Sequence, residues 1–146
     1  MSESKYAKYI VTELQAPEFK PDFVENYKKF AKRILWIDDK VVPGSFQMNC
    51  SWYLKANTEL APFSHIHEED EIIGFFSSDP DNPYVLDAEI EFWIEDEKFV
   101  LTKSCMIFIP GGLKHCPLLL HRVDRPIFHY SIVNGGTYGA GMYGAK

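Results

Sequence analysis

The sequence predicts a mainly β domain, an antiparallel sandwich or barrel with one early helix, and three observations carry that expectation. Between Phe46 and Val133 the chain is a succession of short apolar or alternating runs, each bounded by Gly, Pro, Asn, Asp or Ser. Only one stretch, Asp22 to Leu35, repeats its apolar residues at steps of three and four. With 146 residues, 46% apolar and 15% aromatic, the chain can bury one core without cross-links.

In order, Tyr9 to Leu14 reads as a short β-like run, which Pro17 and Pro21 end. Phe23, Val24, Tyr27, Phe30, Ala31, Ile34 and Leu35 then mark one helical face, opposite a basic face of Lys28, Lys29, Lys32 and Arg33 expected in solvent. Asp22 with Glu25 three residues on gives the start a capping arrangement, and the helix is placed at about 22–35. From Phe46 to Leu54 the period is two: Phe46, Met48, Cys50, Trp52 and Leu54 alternate with Gln47, Asn49, Ser51, Tyr53 and Lys55. That polar set either faces solvent or lines an interior cavity. Further strands are expected at Ile72 to Phe76, around Ile90 to Ile94, at Phe99 to Leu101 after a Glu95-Asp96-Glu97 turn, from Cys105, and from Leu118 to Val133. Ser77 to Pro83 is a dense turn cluster without the alternating acids of a calcium loop. The division that results is an N-terminal extension (1–45), a barrel (46–134) and a tail (135–146) expected to be mobile or ordered only by a neighbour, because its five glycines give it little to bury and much entropy to lose.

A net charge of -6 and a pI near 5.3, with no basic run, argue against nucleic acid or an anionic membrane as partner and favour a small molecule. Cys50, Cys105 and Cys116 are odd in number and lack metal-site spacing, so reduced thiols and a cytoplasmic location are expected. No apolar run approaches a membrane span, and the Met-Ser-Glu-Ser-Lys start has no apolar segment of the signal-peptide kind.

The chemistry concentrates at Ser64 to Gly74, S-H-I-H-E-E-D-E-I-I-G. On a strand, His65 and His67 project to one side, roughly 7 Å apart at Cα, which suits two neighbouring ligands of one ion. Glu71 can swing in as a third, completing a two-histidine, one-carboxylate set; Glu68, Glu69 and Asp70 are alternative carboxylates for a distorted loop. His115 follows in I-P-G-G-L-K-H, with Pro110 and Gly112 before it. Joined, the pattern H-x-H-x3-E and P-x-G-x2-H resembles the two motifs of the cupin superfamily over about residues 46–133.

That resemblance implies a double-sheet jelly-roll barrel with one divalent metal per chain held by His65, His67, Glu71 and His115, the Pro and Gly aiming the last histidine inward. It departs from the family's glycines at Glu59, Ser78 and Ser104, and from a common asparagine at Leu119, which bears on loop geometry and subfamily more than on metal binding. Oxygen and nitrogen ligands without thiolate suit Fe, Mn, Ni or Zn, and four of them leave about two positions open on a six-coordinate ion. The expected function is a metal-dependent enzyme acting on a chelating organic substrate, as a dioxygenase or a redox-neutral isomerase, lyase or decarboxylase; the alternative is a non-enzymatic small-molecule-binding or sensing protein. His129, Tyr53 and Tyr130 are candidate catalytic side chains if their strands turn them inward, with Trp52, Phe63, Phe75, Phe108 and Phe128 as further candidates for a cavity wall. A homodimer is expected, through a sheet edge such as Tyr9 to Leu14 and the helix beside it.

Overall fold

The computed structural model describes residues 4–59 and 63–135. A 3₁₀ turn (Ala7–Tyr9) and one helix, α1 (Pro21–Phe30), precede eight strands: β1 (Ala31–Ile37), β2 (Gln47–Tyr53), β3 (Glu71–Ser77), β4 (Val85–Ile94), β5 (Glu97–Lys103), β6 (Cys105–Ile109), β7 (His115–Val123) and β8 (Ile127–Val133). They form two antiparallel sheets, ordered β1-β2-β8-β3-β6 and β5-β4-β7. The inner faces enclose Phe75, Leu86, Ile90, Phe92, Ile109, Leu120 and Ile127, all essentially buried. Each such side chain contributes about 1.5–3 kcal/mol through the apolar surface it removes from water. Among the described residues no helix is long and apolar enough to cross a membrane.

Three N-terminal expectations are corrected. The helix stops at Phe30 rather than near 35, and the remaining stripe residues, Ala31, Ile34 and Leu35, lie in β1. Pairing decides this: Leu54 N–H donates to the Phe30 carbonyl at 2.7 Å, and Ala31 to Ile37 run antiparallel to β2 with a bulge between Arg33 and Leu35. Ladder bonds and a shared core outweigh a helical period that β-prone Ile34, Trp36 and Ile37 support only weakly. The start also differs, since Lys20 is the N-cap, Pro21 opens the helix and Asp22 lies in its first turn without capping. Tyr9 to Leu14 forms no strand; only the turn at Ala7–Tyr9 is regular there. The remaining strands fall where the period placed them, and the turn between β4 and β5 is at Glu95-Asp96. Of the tail, only Gly135 is described; the expectation of mobility concerns residues outside the described set.

The open question about β2 is resolved by burial. Gln47, Asn49, Ser51 and Tyr53 are the inward set, exposed by 0, 7, 0 and 5%, while Met48, Cys50 and Trp52 are only half-buried on the outer face. The neighbouring strand β8 matches them with Val133, Ser131, His129 and Ile127. One half of the larger sheet's inner face is therefore polar. Ser104, at a position where the resemblance expects glycine, fastens the loop between β3 and β4. Its Oγ donates to the Pro83 carbonyl at 2.6 Å and accepts from the Ser77 N–H at 2.9 Å.

His129 sits inside this face, its ring stacked 4.5 Å from Tyr53 and 5.0 Å from Phe75, with Nδ1–H donating to the Gly74 carbonyl at 3.0 Å. Burial dominates its electrostatics and lowers its pKa from the ordinary 6.5 to about 4. The folded value lies below the unfolded one, so this group's contribution to stability is complete above pH 6.5 and is lost as pH falls towards 4, about 3 kcal/mol in all. Urea unfolding at pH 7 and at pH 4.5 is expected to show a clearly smaller acid loss for His129→Leu than for the parent chain. Equal losses would mean that the ring does not resist protonation.

Candidate metal centre

His65 and His67 do not lie on a regular strand, as their spacing suggested. They belong to the irregular segment before β3, and an isolated bridge does the aligning: His65 N–H donates to the His115 carbonyl at 3.0 Å and His115 N–H returns to the His65 carbonyl at 3.1 Å. The two motifs thus meet backbone to backbone. Gly112 N–H donates to the His67 carbonyl at 2.8 Å, and Gly111 N–H to Asp70 Oδ1 at 2.8 Å. A Cβ on Gly111 would stand 2.0 Å from the Glu68 carbonyl oxygen, and Gly112 has φ +88°, so both glycines are required, one by close approach and one by conformation.

This places one ligand-type atom from each of His65, His67, Glu71 and His115 within 4.8 Å of the others. Glu71 and His115 are buried, and the first two histidines are half-buried. Glu68, Glu69 and Asp70 are not in this group: the Glu69 carboxylate lies 3.6 Å from His67 Nδ1, the outer ring nitrogen, and the Asp70 carboxylate accepts from Gly111.

Each imidazole is oriented in the same way. Nδ1–H of His65 donates to the Phe63 carbonyl at 2.5 Å, that of His67 to the Glu69 carbonyl at 2.8 Å, and that of His115 to the Leu113 carbonyl at 2.9 Å. A carbonyl can only accept, so each Nδ1 carries a proton and Nε2 is the ring atom turned inward. Two of these nitrogens approach the same carboxylate oxygen: Glu71 Oε1 is 3.0 Å from His67 Nε2 and 3.1 Å from His115 Nε2. The third, His65 Nε2, is buried without a hydrogen-bond partner. Ser131 Oγ donates to the other oxygen, Oε2, at 2.6 Å and fixes the carboxylate's rotation.

The charges follow this geometry. Burial would raise the Glu71 pKa, but contacts with His115, His67 and Ser131 outweigh it and bring the group to about 2, so it is a carboxylate at neutral pH. Contact with Glu71 raises His67 above its ordinary value, whereas burial lowers His65. Four acceptors around one point, with hydrogen-bonded outer atoms and one orphaned buried nitrogen, form a donor set that fits a divalent cation.

The other candidates lie elsewhere. Strand register puts His129 opposite Phe75, four residues from Glu71 or roughly 13 Å along the sheet, and Tyr53 lies beyond it opposite Ile127. Tyr130 is on the outer face, stacked 5.6 Å from Phe76, so its placement beside a cavity is corrected. Trp52 and Phe128 share that outer face, Phe108 and Phe63 are exposed, and Phe75 alone of the remaining aromatics joins Tyr53 inside. Cys116 is buried in the core, and burial raises its pKa, which makes it an inert thiol. Exposed His121 pairs with Glu91 at 2.8 Å. Ser131 was missed; its only signal was its phase, two residues from His129 on an alternating strand. A depression of about 310 Å³ is lined by Phe46, Ile72, Phe108 and Ile132 together with Asp70, Glu71 and Asn134.

No family model matches the chain, and no curated protein does. Solved structures do match. An oxalate oxidase in complex with the substrate analogue glycolate superposes with a TM-score of 0.54 at 18% identity, over 95% of this chain and 65% of that one. Peruvianin-I, a cysteine peptidase from Thevetia peruviana latex, gives 0.56 at 14% identity over 93% and 77% of the two chains. A sugar phosphate isomerase of the cupin superfamily from Silicibacter pomeroyi gives 0.51 at 11% identity over 84% and 70%. The chain spans less than two thirds of the oxalate oxidase chains it matches, 62% of one and 65% of another. An oxidase, a peptidase and an isomerase on one architecture show that the fold does not select the reaction. At 11 to 18% identity the likenesses establish architecture alone, and the chain is a jelly roll with the cupin fold.

Proposed function

We infer that the chain is a metal-dependent small-molecule enzyme of the cupin type, with His65, His67, Glu71 and His115 holding one divalent ion, Fe, Mn, Ni or Zn. The observation that carries this reading is the set of inward nitrogens: two Nε2 atoms about one carboxylate oxygen at 3.0 and 3.1 Å, and a third buried without a partner. Acceptors so arranged repel one another unless a cation lies between them or a histidine takes a second proton. When bound, the ion would supply Lewis-acid polarisation of a chelating oxygen substrate, and redox chemistry if it is iron or manganese.

The chain's own residues do the rest. Carbonyls of Phe63, Glu69 and Leu113 orient the rings and Ser131 holds Glu71; a six-coordinate ion held by the four side chains would keep about two positions for a ligand. Small oxygen-rich acids, of which the glycolate named with the oxalate oxidase is one, are suitable in donor type. Turnover of a panel of such acids in air, lost under anaerobic conditions, would identify a dioxygenase; equal turnover without oxygen would identify a redox-neutral isomerase, lyase or decarboxylase. Binding without turnover of any panel member would make this a binding or sensing protein.

His67→Ala, Glu71→Ala and His115→Ala are each expected to reduce metal content at least about tenfold by elemental analysis of untagged protein, with the β-sheet circular dichroism retained. His121→Ala should keep full content, and unchanged content in all three ligand variants would exclude the assignment. Protons compete with the ion for His67, whose pKa is raised, so affinity should be constant above that pKa and fall about tenfold per pH unit below it. Competition titrations from pH 8 to 5.5 measure this, and a flat profile would contradict it.

The expected homodimer finds better support on the outer face of the larger sheet than at Tyr9 to Leu14. Phe46, Met106 and Phe108 are 56, 69 and 58% exposed there, beside Ile72 and the depression that it lines. We assign a second copy of the chain to this face. Light scattering should give twice the chain mass, and Met106→Glu with Phe108→Lys should halve it; a monomeric parent chain would dismiss the interface.

A further inference from the structure

The polar half of the inner face holds a group that the ligand set does not use. Gln47 shares a cross-strand row with Val133 and Glu71, so two strand spacings, roughly 10 Å, separate Gln47 from Glu71 at Cα. Its side chain is fully buried, and neither Oε1 nor Nε2 has a hydrogen-bond partner. A primary amide buried in this way is costly and is retained only where something repays its desolvation.

Two further donors adjoin it. Asn49, the next inward residue of β2, accepts from Arg33 Nη1 at 2.6 Å through Oδ1; guanidinium cannot accept, so the Asn49 Nδ2 remains a donor. Arg33, expected on a solvent face, is opposite inward-facing Ser51, and its guanidinium lies 4.7 to 5.3 Å from the ring centres of Tyr27, Phe19 and Trp36. Among the described residues no carboxylate forms an ion pair with it. The wall beside the ligand cluster therefore presents a fixed positive charge and two amide donors with no anion to receive them.

We propose that Gln47, Asn49 and Arg33 form a subsite for a carboxylate of the ligand, one remote from the metal. Resting on the metal reading above, this makes the ligand class an organic acid that chelates the ion through one pair of oxygens and carries a second carboxylate towards β2. Gln47 is a specificity residue in this arrangement: Nε2 donates to the carboxylate, and Oε1 can accept from a hydroxyl.

L-malate and L-lactate test this, because both offer an ion the same 2-hydroxy-carboxylate and only malate adds a second carboxylate. Calorimetric titration should show metal-loaded protein preferring malate by about tenfold or more, the contribution of a charged hydrogen bond. In Gln47→Leu and in Arg33→Gln the preference should fall to within about twofold, with metal content unchanged. Gln47→Leu should also melt about 4 °C higher without ligand, since it removes a buried unpaired amide. Equal affinity for the two acids in the parent chain, an unchanged preference in Gln47→Leu, or a lower melting temperature for that variant would overturn the subsite. The same titrations on chelator-stripped protein separate the two readings: a malate preference with both affinities unaltered by stripping supports the subsite and overturns the metal centre.

Discussion

Everything distinctive in this jelly roll depends on one electrostatic constraint, the convergence of three imidazole nitrogens and a carboxylate oxygen within 4.8 Å. Such an assembly of acceptors does not persist by itself. It is held by rigid attachments outside it: three carbonyls on the Nδ1 atoms, Ser131 on Glu71, and the reciprocal backbone bridge between His65 and His115. Gly111 and Gly112 let the two chain segments approach closely enough for that bridge. The cost of holding the acceptors together is borne by the fold before any ligand arrives, which is the preorganisation a binding or catalytic centre needs.

The same sheet divides its inner face between stability and recognition. Phe75, His129 and Tyr53 stack into the apolar core at one end, and neutral His129 belongs to that packing. Towards Glu71 the inward residues become Ser131, Asn49 and Gln47. A face that was only a core would carry Val or Leu at those positions, and Gln47, buried without partners, is the clearest departure. Arg33 extends the polar half from β1, anchored by Asn49 and shielded by aromatic rings supplied by α1, β1 and the segment before the helix.

The cluster of three histidines and Glu71 was legible in the sequence because its determinants are local. H-x-H-x3-E and P-x-G-x2-H specify residue types over a few positions, and the glycines encode the turn that joins them. Strand positions were legible for the same reason, through a period of two between turn formers. What could not be read depends on partners distant in the chain. The end of α1 is set by β1 pairing with β2, which a 3.6-residue stripe running on to Leu35 conceals. The inward face of β2 is fixed only by register against β8, since an alternating strand reads equally well in either orientation. Ser131 has no signature beyond its phase, and Arg33 was hidden among the lysines of an apparent solvent face.

Anomalous scattering from crystals grown with Mn, Fe, Ni or Zn addresses the centre most directly. A single peak within about 2.0 to 2.3 Å of Nε2 of His65, His67 and His115 and of a Glu71 carboxylate oxygen is the expected result. Absence of a peak under metal-replete conditions, with Glu71 Oε1 still 3.0 and 3.1 Å from His67 and His115, would contradict it and leave a protonated histidine as the source of cohesion.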